Sequence, residues 1–122
     1  MRADVEKTGI YYKKLKAEKL CSCGYCENYR LRVRRAYPEV AAFLATLGVE
    51  IEKAFETSPL EPDENGMLTY CACQYIVFGT CPETYVQQLG DVEFRRAQSY
   101  PDTGIGAEHF VLECYPITLK FE

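Results

Sequence analysis

A chain of 122 residues, 48% hydrophobic and 26% charged, suits one compact domain with a single core, so one α+β domain over residues 1–122 is expected. The net charge of −4 is divided, because residues 1–35 carry +6 and residues 36–122 carry −10. No apolar run approaches a membrane span and the first fifteen residues lack the apolar centre of a signal peptide, so the sequence predicts a cytoplasmic protein with no membrane partner.

Residues 9–16 (GIYYKKLK) mix Ile, Tyr and Leu with lysines, and read as an edge strand. The tightest motif follows: Cys21-Ser-Cys23-Gly-Tyr-Cys26-Glu-Asn28-Tyr29, three thiols in six positions. Tyr25, Tyr29, Val33 and Tyr37 then recur at near-helical spacing, with Arg30, Arg32, Arg34 and Arg35 mostly off that stripe, which predicts a helix with a basic outer surface. Pro38 closes that helix and opens another, whose apolar stripe is Val40, Phe43, Leu44 and Leu47 and whose stop is Gly48.

Beyond Gly48 the period changes to two. Residues 53–59 and 67–78 flank Asn65-Gly66, a hairpin signal, and the second run is apolar at both parities, as a central strand requires. Residues 91–97 form a weaker strand. Residues 109–121 form the last strand, whose alternation changes phase at Cys114-Tyr115-Pro116, where a bulge is expected. The sum is an α+β fold: a twisted antiparallel sheet of about five strands with two short helices packed on one face. Ten Tyr with no Trp suggest tyrosines on a half-exposed sheet face, where an apolar ring with a polar tip is at home.

The run C-x-C-x-Y-C-x-N-Y at residues 21–29, with Leu47-Gly48, Asn65-Gly66 and the strand ending in Phe78-Gly79, resembles a family of small uncharacterised bacterial proteins, a domain of unknown function. The resemblance covers residues 9–121 and brings no activity with it. It implies that Cys23, Cys26 and Asn28 form a signature site, and the family pattern has no thiols at Cys71, Cys73 and Cys81.

Seven cysteines cannot all pair within one chain, and in a reducing compartment they are free or metal-bound. A zinc site would take Cys23 and Cys26 as a knuckle, with Cys71 and Cys73 completing four ligands, Cys21 or Cys81 able to replace either, and His109 a further candidate. Cys71 and Cys73, two apart on a strand, are expected on one face about 7 Å apart, which is wide for one metal. A thiol-dependent redox enzyme would use Cys23 and Cys26 ahead of a helix, although the strand–helix order around a thioredoxin-like C-x-x-C is missing. The plainest alternative makes each cysteine a small buried side chain and Asn28 a loop-tying amide.

No catalytic constellation stands out, since the chain has one His, no phosphate-cradling glycine loop and no serine elbow. The arginine-rich stretch lacks any recognised nucleic-acid motif, so a solvated surface is expected there. The leading expectation is therefore a non-enzymatic module that binds a protein partner or a second copy of itself. Structural zinc is the second reading and thiol redox chemistry the third.

Overall fold

The computed structural model describes residues 1–16 and 23–121. Among these, three helices and seven strands follow in the order β1 (Arg2–Ala3), α1 (Val5–Lys14), α2 (Gly24–Ala36), α3 (Pro38–Thr46), β2 (Glu56–Pro59), β3 (Met67–Thr80), β4 (Val86–Leu89), β5 (Val92–Arg96), β6 (His109–Tyr115) and β7 (Ile117–Lys120). All pairings are antiparallel. The sheet runs β4-β5-β6-β3, with β1 and β2 sharing the far edge of β3, and β7 pairing with the first half of β3. The fold class is the α+β architecture expected.

One predicted element changes type. Residues 9–16 belong mostly to helix α1 rather than to an edge strand. Asp4 caps its first turn by accepting from Lys7 N at 3.0 Å, Glu6 stands at the positive end, and Lys13 and Lys14 stand at the negative end. Its buried stripe is only Thr8 and Tyr12, with Leu15 packed beside them, and Ile10 faces solvent. So narrow a stripe imitates the alternation of a strand.

Helices α2 and α3 share Tyr37, which ends one and begins the other, with Pro38 in the first turn of α3. They cover one face of the sheet. Tyr29 packs edge-on against Tyr70 at 5.0 Å, and Phe43 meets Phe94 at 4.7 Å. On the other face the buried Gln74 amide donates to Ser99 O, in the segment after β5, and to Glu113 Oε1.

The phase change expected in the last strand is real, but it is not confined to that strand. On β3 the core side passes from Leu68 and Tyr70 to Cys73, Tyr75 and Val77. Opposite, it passes from Phe110, Leu112 and Cys114 to Ile117 and Leu119. Because Cys73 faces Cys114 and Tyr70 faces Ile117, both strands step together and their register is unbroken. A one-sided bulge would have shifted that register; instead Pro116 divides the strand into β6 and β7. The register break occurs on the other side, between Thr57 and Pro59 of β2.

Two glycines permit close approaches. Gly48 has φ +87°, and a Cβ there would lie 2.5 Å from Val5 O and 2.9 Å from Gly9 N, so α1 crosses directly over the end of α3. At Gly79 a Cβ would lie 2.1 Å from Arg2 O of β1.

The tyrosines lie deeper than the sequence suggests. Tyr12, Tyr29, Tyr70 and Tyr75 are buried, and the hydroxyls of Tyr12, Tyr70 and Tyr75 serve backbone. Tyr12 donates to Ile76 O at 2.8 Å, Tyr70 to Tyr25 O, and Tyr75 to Ile51 O at 2.8 Å. With its proton so engaged, Tyr75 accepts from Tyr29, giving a chain from Tyr29 through Tyr75 to Ile51 O. The half-exposed tyrosine face expected of the sheet is therefore not formed on β3, where Tyr70 and Tyr75 are buried and find polar partners in α2 and the segment after α3.

Gly48→Ala should destabilise by at least about 1–3 kcal/mol, measured by urea unfolding, because it combines backbone strain with a clash against α1. Burial raises the phenols of Tyr12, Tyr29 and Tyr75 well above their ordinary value of 10.0. The unfolded chain then loses protons first, so this stabilisation is complete below pH 10 and is lost as pH rises beyond it. Tyrosinate absorbance of these three rings should appear only together with unfolding, as followed by circular dichroism in the same alkaline titration.

Candidate functional site

The motif at residues 21–29 separates into two parts. Cys21 lies outside the described residues. Asn28 and Tyr29 point into the fold and hold it together. Asn28 is buried, donates to Lys120 O on β7 at 2.9 Å and accepts from Arg32 Nε at 2.9 Å. Tyr37 continues the same task, taking Thr118 N at 2.9 Å and donating to Thr118 O at 3.4 Å. The outer edge of β7 is thus closed by side chains of α2 and its C-cap rather than by another strand.

Cys23 and Cys26 face a cavity instead. Cys23 is exposed at the N-cap of α2, where its sulfur accepts from Cys26 N at 3.4 Å. Cysteine here takes the place that serine or aspartate usually fills, with the positive end of a thirteen-residue helix directed at the sulfur. Cys26 is one turn along and half-buried, its sulfur 3.7 Å from Thr57 Oγ1.

The cavity has a volume of about 460 Å³ and lies between the C-terminal end of α1, the first turns of α2 and residues 52–59. Tyr11, Tyr12, Leu15, Tyr29, Phe55 and Ile76 supply apolar walls, while Arg30, Lys53, Glu52 and Glu56 supply charge. Lys53 donates to Tyr12 O at 2.6 Å, placing a cation at the negative end of α1. Glu52 is bound by Arg34, whose guanidinium holds its carboxyl below the usual range.

The position of the cavity follows from the edge of β3. β2 accounts for that edge up to Gln74, whose carbonyl takes Phe55 N at 2.7 Å, and β1 begins at Gly79. In the interval α1 lies against the edge, with Tyr12 on Ile76 O, Thr8 Oγ1 accepting from Phe78 N at 3.0 Å, and Asp4 N donating to Phe78 O at 2.8 Å. A helix is wider than a strand, and the space beside it is the cavity.

The other predicted site residues are dispersed. Cys71 is exposed and Cys73 is fully buried, because the phase step on β3 falls between them and they do not share a face. Cys73 lies opposite Cys114 in the core, and its hydrogen bond together with burial raises the Cys114 thiol. Cys81 is buried and its thiol is also raised, by desolvation. Among the described residues no three His, Cys, Asp or Glu side chains form a group able to hold a metal ion, so Cys23, Cys26, Cys71 and Cys73 are not gathered into one. Of the basic surface, Arg32 is bound to Asn28, Arg34 to Glu52, Arg30 lines the cavity and Arg35 is exposed.

The cavity walls were not visible as a motif, since they come from three separated stretches and Ile76 of β3, and only the two cysteines carry a local signal. Among the described residues no helix is long and apolar enough to cross a membrane. Comparison with protein-family models, curated proteins and solved structures gives no match.

The two halves of the motif should separate on mutation. Asn28→Ala removes a buried amide from the β7 edge and should cost about 1–3 kcal/mol in urea unfolding. Cys71→Ser, at an exposed position, should stay within about 0.5 kcal/mol of the parent.

Proposed function

We propose that this domain is a binding module whose ligand occupies the cavity between α1, α2 and residues 52–59. The observation carrying the reading is the cavity itself: about 460 Å³, with aromatic and aliphatic walls and a few charged groups at its margin. That size and lining match small-molecule sites, which enclose an apolar body and orient it through a few polar contacts. The ligand that fits is a small molecule with an aromatic or branched apolar body and one polar end.

The fold presents neither a tyrosine surface on β3 nor an open strand at residues 9–16 to a macromolecular partner. Tyr70 and Tyr75 are enclosed rather than presented, and residues 9–16 offer no strand for pairing. The binding reading therefore rests on concavity and not on an open sheet.

An aromatic sulfonate probe, 1-anilinonaphthalene-8-sulfonate, tests it. One equivalent should bind with enhanced fluorescence, and Ala54→Phe, which fills the cavity from its wall, should abolish that signal while leaving the far-ultraviolet circular dichroism unchanged. Saturable binding that survives Ala54→Phe, or no binding at all, would remove the cavity as the ligand site.

A further inference from the structure

The cysteines at the cavity mouth have a chemistry that binding alone does not use. Cys23 and Cys26 occupy the N-cap and third positions of α2, one exposed and the other half-buried one turn inward. Residues three apart on a helix are neighbours on its surface. The Cys23 sulfur receives a backbone N–H at 3.4 Å and sits at the positive helix end, so negative charge on that sulfur is stabilised where solvent and a reactant can reach it. Arg30 and Lys53 add cationic groups to the walls of the same cavity. The second sulfur is withdrawn against Thr57 Oγ1 at 3.7 Å. An accessible attacking sulfur, a neighbouring sulfur held back, and a cavity for the reactant form a complete arrangement for exchange.

We infer that Cys23 and Cys26 form a thiol–disulfide exchange centre, with Cys23 the attacking and Cys26 the resolving sulfur, acting on a small disulfide seated at the cavity. In the first step the Cys23 thiolate attacks one sulfur of a disulfide RS–SR′. A Cys23–SR bond forms, the S–S bond breaks, and R′S⁻ departs with the electron pair and is protonated by solvent. In the second step Cys26, having lost its proton to solvent, attacks the Cys23 sulfur. The Cys23–Cys26 disulfide forms and RS⁻ leaves to be protonated. Two electrons pass from the protein dithiol to the substrate, which ends as RSH and R′SH. A dithiol reductant returns the pair to its starting state by the same steps in reverse.

This inference does not depend on the cavity holding an apolar ligand, because the exchange needs only an accessible Cys23 and a neighbouring Cys26. Cys71 provides an internal control, being an exposed thiol within a strand rather than at a helix N-cap.

The test is made on the full chain at pH 7. With iodoacetamide, peptide mass spectrometry should show Cys23 alkylating at least about tenfold faster than Cys71. Oxidised glutathione should drive formation of the Cys23–Cys26 disulfide in the parent chain and in Cys71→Ser. With Cys26→Ser the reaction should stop at a glutathione adduct on Cys23, and with Cys23→Ser no adduct should accumulate on Cys26. Circular dichroism of both variants establishes that they fold. Equal labelling of Cys23 and Cys71, a disulfide that joins either motif cysteine to Cys21, or adducts shared evenly by Cys23 and Cys71 in Cys26→Ser would each overturn the assignment. Sulfonate-probe binding in the same preparations reports on the cavity separately, so failure of one reading is distinguishable from failure of the other.

Discussion

The backbone of β3 governs the rest of the molecule. A fourteen-residue strand at the centre of a sheet has donors and acceptors along both edges, and a buried peptide group left without a partner is costly. One edge is taken by β6 and β7 in unbroken register. The other receives two short strands with an interval between them, and α1 occupies that interval with a threonine hydroxyl, a tyrosine hydroxyl and its own leading amide. A similar solution recurs at the outer edge of β7, where Asn28 and Tyr37 serve the strand. Side chains on helices thus complete a sheet that lacks strands of its own.

This use of side chains explains the composition. Tyrosine combines a large apolar ring with a hydroxyl that both donates across a layer to a carbonyl and accepts a second bond, whereas phenylalanine has no polar group and the tryptophan N–H only donates. Tyr12, Tyr70 and Tyr75 each bury a ring and satisfy one backbone oxygen, and Tyr29 is held through Tyr75. The core is consequently built of phenols that stay protonated, and its layers are tied by directional bonds as well as by apolar contact. The cavity results from the same arrangement, since the helix that serves the edge of β3 is wider than a strand and leaves room beside it.

Legibility in the sequence varied with the kind of signal. The helix pair at residues 24–46 was clear because the Tyr29–Val33 and Val40–Leu47 stripes are bounded by Pro38 and Gly48. The central strand was clear from its apolar residues at both parities. Helix α1 was obscured because Thr8 and Tyr12 are its only buried positions, while Asp4, the cap that identifies it, precedes the stretch read as a strand. Strand β4 has no apolar alternation of its own, and its one sequence signal is the Gly90-Asp91 turn between Leu89 and Val92. Of the site, the cysteines and Asn28 were visible as a motif. Their division into a chemical half and a structural half was not, because it depends on Lys120 and Thr57, which lie far along the chain.

The paired phase step in β3 and in β6 and β7 has a consequence for how such a chain can change over generations. Cys71-Ala72 and Tyr115-Pro116 stand opposite one another, and each pair reverses which parity faces the core. Deleting one residue from either strand there would turn half of that strand inside out against an unaltered neighbour. A deletion matched across the two strands would instead preserve their alignment. Length variation at this place is therefore admissible only in couples, and relatives of this domain should gain or lose residues at both positions together or at neither.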